Sequence, residues 1–172
     1  MTRGVNALVE DYVGIRAGTV IGARVVVASR SWVGIGVTGG DDSVIKGHIG
    51  DSARVGASCR IAGDLIHRQL DPSFGWDDPG SEEPAPVVED GAFVGWRALI
   101  IGGVNIGAGA YVCVGALVSV DVPAGYIARG RNEFMDPASW HGPLGKSPSF
   151  RDAQLRGEER AAVGLTPRDP PG

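Results

Sequence analysis

Six aliphatic residues, Val88, Val94, Ile100, Ile106, Val112 and Val118, follow one another at an unbroken spacing of six. That spacing fits neither the helical period of about 3.6 residues nor a meander of strands joined by tight turns. Each hexad also carries a small or β-branched residue four places on: Ala92, Ala98, Val104, Ala110, Ala116 and Val122. Even separations on an extended segment point side chains the same way, so each unit offers two inward apolar groups and then bends. Gly and Asp supply the bends, as in Val94-Gly95, Ile106-Gly107 and Asp90-Gly91. A unit this short cannot bury its apolar face alone. Neighbouring units must stack into a solenoid around one continuous core.

The same beat runs upstream through Val9, Ile15, Ile21, Val27 and Val33, with Val13, Thr19, Val25, Ser31 and Val37 four places on. It recurs in Ile49, Val55 and Ile61, followed by Ala53, Cys59 and Leu65, which makes fourteen hexads. Two segments leave the register. The step from Val33 to Ile49 is four residues longer than two hexads, and the stretch from His67 to Pro86 holds no hexad. A period kept on both sides of a break predicts a loop pushed out of a regular wall, and loops on rigid scaffolds are where function concentrates.

The chain of 172 residues fits one domain plus a tail. Its 28 glycines sit at bends and in short loops and mark tight turns. No apolar run approaches the ~18 residues of a membrane span, and Met1-Thr2-Arg3-Gly4 lacks a signal-peptide core, so a cytoplasmic location is expected. Two cysteines, Cys59 at a core-facing position and Cys113 beside one, form neither a disulfide framework nor a metal knuckle. A net charge of −4 with no basic stripe argues against a nucleic-acid partner.

The beat ends near Ala128, giving an expected solenoid domain over 1–128 and a tail over 129–172. The charged stretch Arg151 to Arg160 reads as a short solvated helix, and Thr166 to Gly172 as a frayed end. No role is assigned to Trp140-His141-Gly142-Pro143.

A solenoid wall does no chemistry, so the broken regions hold the candidates. His67, in Asp64-Leu65-Ile66-His67-Arg68-Gln69-Leu70-Asp71-Pro72, stands where the upstream hexads end and the long loop begins. Imidazole exchanges protons near neutrality and can take one from an attacking hydroxyl or amine. A nucleophile deprotonated there could attack a thioester carbonyl, with a main-chain N–H at a coil corner stabilising the oxyanion. A histidine at the start of a loop is also commonly a solvated surface group.

The hexads resemble those of the hexapeptide-repeat family, whose fold is a left-handed parallel β-helix with three hexads per triangular coil. That resemblance implies an all-β solenoid of about five coils, one long extruded loop over about 67–86, and an irregular or partly helical tail. The left hand departs from the right-handed rule for parallel crossovers and comes from the resemblance alone. The blocks Val88-Glu89-Asp90-Gly91-Ala92-Phe93-Val94-Gly95-Trp96, Gly103-Val104-Asn105-Ile106-Gly107-Ala108-Gly109-Ala110 and Val118-Ser119-Val120-Asp121-Val122-Pro123-Ala124-Gly125 are similar to the C-terminal half of coenzyme-A-dependent hexapeptide acetyltransferases, especially the xenobiotic and galactoside branches. The resemblance covers roughly residues 49–130. Such enzymes place a catalytic histidine just before a proline-bearing loop, a place His67 occupies, which implies general-base catalysis.

Carried over position by position, the resemblance implies that acetyl-CoA or another acyl-CoA lies along the coils at Trp96, Val114, Ser119 and Val120. Trp96 departs from the small residue usual at its place and would either stack on the cofactor or narrow its channel. Arg129 and Arg131, in Ala128-Arg129-Gly130-Arg131-Asn132, replace the family's Gly-Asn-Pro-Ala ending and would meet CoA phosphates. No metal is expected. The stretch Gly36 to Asp42 lacks the asparagine of sugar-acetylating members, which counts against a plain galactoside acceptor. Between Arg68 and Asp90 stand seven acids (Asp71, Asp77, Asp78, Glu82, Glu83, Glu89, Asp90). Such a rim draws a cationic small molecule such as an amino sugar or another amine, with Asp71 and Trp76 as candidate acceptor contacts; a solvated acidic loop is the plain alternative. The resemblance also implies a homotrimer with sites between adjacent prisms, His67 and Trp96 serving one site from two chains, and Trp32 and Tyr111 at the interface. A sugar-nucleotide N-acyltransferase is the alternative enzyme. A non-catalytic repeat scaffold is a rival from another class. A γ-type carbonic anhydrase fits less well, because His48, His67 and His141 lack the spacing of its zinc ligands.

Overall fold

The computed structural model describes residues 1–69 and 83–139. Strands of two or three residues succeed one another at the hexad spacing and close into triangular coils. The first coil is β1 (Thr2–Arg3), β2 (Leu8–Val9) and β3 (Gly14–Ile15); the second is β4 (Val20–Ile21), β5 (Val26–Val27) and β6 (Trp32–Val33). The third is β7 (Thr38–Gly39), β8 (Val44–Ile45) and β9 (His48–Ile49); the fourth is β10 (Arg54–Val55), β11 (Arg60–Ile61) and β12 (Asp64–Ile66). The fifth is β13 (Val87–Val88), β14 (Phe93–Val94) and β15 (Leu99–Ile101); the sixth is β16 (Asn105–Ile106), β17 (Tyr111–Val112) and β18 (Leu117–Val118). Equivalent strands pair in parallel from coil to coil and build three sheets, the walls of a left-handed parallel β-helix. An antiparallel hairpin of β19 (Ile127–Arg129) and β20 (Glu133–Met135) continues the second sheet. A 3-10 turn over Pro137–Ser139 is the one helical element among the described residues.

The register shows why a period of six suffices. Val55 pairs with Val88 and Val88 with Ile106; Ile61 pairs with Val94 and Val94 with Val112; Leu65 pairs with Ile100 and Ile100 with Val118. Each aliphatic column therefore stacks on itself, and all six residues of the downstream series are 1% exposed or less. Residues four places on fill the corners of the triangle, with Ala92, Ala98, Ala110 and Ala116 equally buried. Thr19 takes one of these corner positions and stays satisfied through Oγ1, which donates to the carbonyls of Arg16 and Gly34. Burying each aliphatic side chain contributes about 1.5–3 kcal/mol, so the wall is held by many equal increments.

The coils number about six, where the sequence pattern predicts five, and the segment from Val33 to Ile49 is not a loop. Gly39 and Ile45 carry the wall through it. Gly39 escapes an aliphatic count because it has no side chain, and the δ-methyl of Ile45 fills its place, 3.1 Å from where a Cβ would sit. The irregularity is a shortened corner: Ile45 and Ile49 stand four residues apart, as do Ile61 and Leu65. Gly47 and Gly63 make these corners, and a Cβ on either would strike backbone, at 2.2 Å from the Gly63 carbonyl oxygen and 2.4 Å from that of Ala98. The second break is the predicted excursion. The chain leaves the wall after Ile66 and rejoins it at Val87.

Candidate active site

His67 lies at the edge where the third sheet turns into the first. Its imidazole rests against the corner of the coil below, with Cδ2 3.4 Å from where a Cβ on Gly50 would be. Nε2 lies 2.9 Å from the carbonyl oxygen of Asp51. A carbonyl can only accept, so Nε2 carries the proton and Nδ1 of the neutral ring holds the lone pair. Nδ1 is buried and has no hydrogen-bond partner among the described residues. Asp51 is itself fixed from the next coil down, because its Oδ1 accepts from the Ile35 N–H at 2.7 Å. The base candidate is thus aimed by a main-chain group that two coils hold in place.

The neighbouring Arg68 runs up the same edge. Its Nη2 donates to the Ser119 carbonyl at 3.0 Å, two coils away. Ser119 is held in turn by Asn132, whose Oδ1 accepts from the Ser119 N–H at 2.8 Å while its Nδ2 donates to Ser119 Oγ at 2.9 Å. Val120 follows on this edge and is 47% exposed. Of the sequence-predicted contacts, Ser119 and Val120 therefore share an edge with His67.

Trp96 and Val114 do not. They occupy the edge between the second and third sheets on successive coils, joined by a hydrogen bond from the Gly115 N–H to the Trp96 carbonyl. A sheet face of some six residues, about 20 Å, separates them from the His67 edge. Trp96 is 50% exposed and Val114 70%. The Lys46 ammonium sits 4.6 Å from the Trp96 ring centroid, reaching over the shortened Ala62-Gly63 corner. A cation over an indole face is attractive. Arg129 stands above Cys113, next to Val114 in the chain, and pairs across the hairpin with Glu133 at 3.3 Å. Arg131 is exposed beside Leu117. Asp71 and Trp76, and the expected helix over 151–160, lie outside the described residues.

Three of the seven loop acids also have structural tasks. Glu83 Oε2 accepts from the Gln69 N–H at 2.9 Å and ties the neck of the excursion. Glu89 accepts from Asn105 Nδ2 and the Ala108 N–H, and Asp90 Oδ1 from the Ala57 N–H. Of the proposed interface aromatics, Tyr111 stacks on Phe93 within the chain, centroids 4.5 Å apart, and Trp32 lies 41% exposed with the Arg16 guanidinium 5.5 Å from its ring. Sequence reasoning missed Asp51, Arg68, Gly102, Asn132 and Lys46. Only Gly102, out of phase with the hexad bends, is a signal that sequence alone offers. No group of three or more His, Cys, Asp or Glu placed to hold a metal occurs among the described residues.

No protein-family model matches the chain. Over 81 residues it is 36% identical to 2,3,4,5-tetrahydropyridine-2,6-dicarboxylate N-acetyltransferase of Staphylococcus aureus, a match covering 47% of this chain and 28% of that enzyme. The chain therefore spans well under half the length of the curated relatives it matches. Among solved structures, an acetyltransferase of Desulfovibrio desulfuricans described as putative superposes with a TM-score of 0.57, at 21% identity, over 74% of this chain and 26% of that one. A perosamine N-acetyltransferase variant of Caulobacter crescentus, solved with CoA and GDP-perosamine, matches over 75% of this chain and 54% of that one, at 19% identity and a TM-score of 0.38. The chain has a hexapeptide-repeat-like β-solenoid fold, and over 81 of its residues it is similar in sequence to an N-acetyltransferase.

Proposed function

We propose that this chain transfers an acetyl or other acyl group from acyl-CoA to an amine or hydroxyl of a small molecule, with His67 as general base. The observation that carries the reading is the imidazole at the excursion from the wall, its Nε2 held on the Asp51 carbonyl and its Nδ1 without a hydrogen-bond partner among the described residues. In the reaction Nδ1, buried in the single chain, must be uncovered so that the acceptor N–H or O–H can give its proton to the His67 lone pair as its heteroatom attacks the thioester carbonyl. A corner N–H stabilises the oxyanion, the C–S bond breaks, and the imidazolium returns the proton to the departing CoA thiolate. The 81-residue likeness to an N-acetyltransferase favours an amine acceptor. In this reading acyl-CoA runs past Trp96 and Val114, with Ser119, Val120, Arg129 and Arg131 further along its course. Because the Trp96 and His67 edges are a face apart, one site takes them from two chains of a homotrimer.

The test is calorimetric titration of acetyl-CoA into wild type and Trp96→Asp, together with thioester turnover by wild type and His67→Ala over a panel of amines and sugars. Expected are weaker binding in Trp96→Asp and a loss of about 10²- to 10⁴-fold in turnover in His67→Ala. Absence of CoA binding by the wild type would leave only a scaffold.

A further inference from the structure

We propose that Arg68 is a positioning residue, a strap that fixes the base beside it by spanning two coils. Its kinetic consequence rests on the acyltransferase reading above; its structural consequence does not. The Arg68 side chain lies across Gly102 so closely that a Cβ there would fall 2.6 Å from both Cγ and Nε, and its guanidinium ends on the Ser119 carbonyl. Gly102 is held beneath it by its own N–H, which donates to the Ile66 carbonyl at 2.8 Å, and its φ of +83° is one that residues with a Cβ rarely adopt. The returning end of the excursion seats on the next residue, where a Cβ on Gly103 would meet Pro84 Cβ at 2.2 Å. The glycine pair is therefore a seat cut into the wall for both ends of the loop. The tie from the Gln69 N–H to Glu83 closes the neck above it.

His67 stands between two anchors. Its imidazole reaches down to the Asp51 carbonyl, and its neighbour Arg68 reaches up to the Ser119 carbonyl. The backbone between those anchors is leaving the ladder, since Ile66 is the last paired residue of β12. Without the strap, only the flanking main-chain ties at Ile66 and Gln69 would set how far the chain leans off the wall. The ring would then lose the alignment that holds Nε2 on Asp51 and selects the tautomer with its lone pair on Nδ1. Lysine can reach a carbonyl with a single ammonium but lacks the flat guanidinium that lies over Gly102, so it should substitute in part.

The experiment reads the ring directly. Long-range proton–nitrogen NMR of the three histidines, with His67 assigned from His67→Ala, gives the tautomer in wild type, Arg68→Met, Arg68→Lys and Gly102→Ala. Arg24→Met, which removes another exposed arginine, from a different edge, is the control. The wild type and the control should show His67 protonated at Nε2. Arg68→Met and Gly102→Ala should show mixed tautomers, with Arg68→Lys between, while wall amides such as those of Val94 and Ile100 keep their shifts. In turnover, Arg68→Met should lose about 10- to 100-fold in kcat, the range expected when a reacting group is misplaced by about 1 Å, with KM for acetyl-CoA within about twofold of wild type. An Arg68→Met protein whose His67 ring signals match the wild type would overturn the strap, even if Gly102→Ala fails to fold. A wild type that shows no turnover defeats the acyltransferase reading alone, because the tautomer result still decides the strap.

Discussion

Cys59 occupies a corner position that elsewhere holds small or β-branched residues such as Ala, Val, Thr and Ser, and it behaves as a small apolar residue there. Burial pushes its thiol up to about 12, and its Sγ lies 3.1 Å from the Glu89 carbonyl oxygen. At pH 8 only about one in ten thousand such thiols is ionised, and the thiolate is the reactive form. Cys113 is also raised by burial, but it is half-buried and the Arg129 charge partly offsets the rise. Iodoacetamide at pH 8 should therefore modify Cys113 slowly and leave Cys59 untouched until the wall unfolds, as peptide mass spectrometry would report. Early modification of Cys59 would mean that the coil around it opens in the native state. The core-facing place of Cys59 was legible because side-chain direction follows residue count on an extended segment. The surroundings of His67 were not. Its partner is a carbonyl of the coil below, and main-chain groups leave no trace in residue type.

At the scale of the corner, one backbone conformation recurs and two glycines with different reasons for being glycine stand near each other. The second turn residue is left-handed at most corners, whether glycine, as at Gly91, Gly109 and Gly115, or not, as at Arg24, Ser58 and Arg97. Gly115 has φ +69° and nothing within 4 Å of a Cβ, so Gly115→Ala costs the left-handed backbone alone, about 1 kcal/mol. Gly95, one coil earlier on the same edge, has no such φ; a Cβ there would meet Val114 N at 2.7 Å and the Val112 carbonyl oxygen at 2.8 Å. Those atoms belong to the ladder and cannot step aside, so Gly95→Ala should cost about 3 kcal/mol. Urea unfolding of the two variants checks the order, and a larger loss in Gly115→Ala would contradict it. The columns Val88 to Val118 were readable because each inward residue declares itself by size and spacing. The corners were readable only in part. A shortened corner such as Lys46-Gly47 removes two residues without changing residue type, which is how the step to Ile49 reads as a loop and six coils as five. The glycine pair that seats the excursion was visible as Gly102-Gly103, but what sits on it depends on Arg68 and Pro84, residues 18 or more positions away.

Across the whole molecule the candidate residues divide between two edges of a triangular prism, and that division makes a prediction no single-chain site shares. His67, Ser119 and Val120 stand on one edge; Trp96, Val114 and Arg129 on another. Stacking alone keeps them apart, because every coil repeats the same three corners and no change within the wall can move a residue from one edge to another. A chain using both sets at one site must present its His67 edge to the Trp96 edge of a neighbour, and a closed ring of such head-to-tail contacts satisfies every copy. The variants His67→Ala and Trp96→Asp would then each lack turnover for different reasons and complement each other. In a ring assembled from an equal mixture, the His67 edge of a Trp96→Asp chain meets the Trp96 edge of a His67→Ala chain at about one site in four. Unfolding the two variants together, refolding them and assaying acyl transfer should therefore recover about a quarter of wild-type activity, whereas the same proteins refolded separately and then combined should stay inactive until they exchange subunits. Recovery absent from the co-refolded mixture, with each variant shown to fold, would place the whole site within one chain and return Trp96 to the role of an exposed aromatic paired with Lys46.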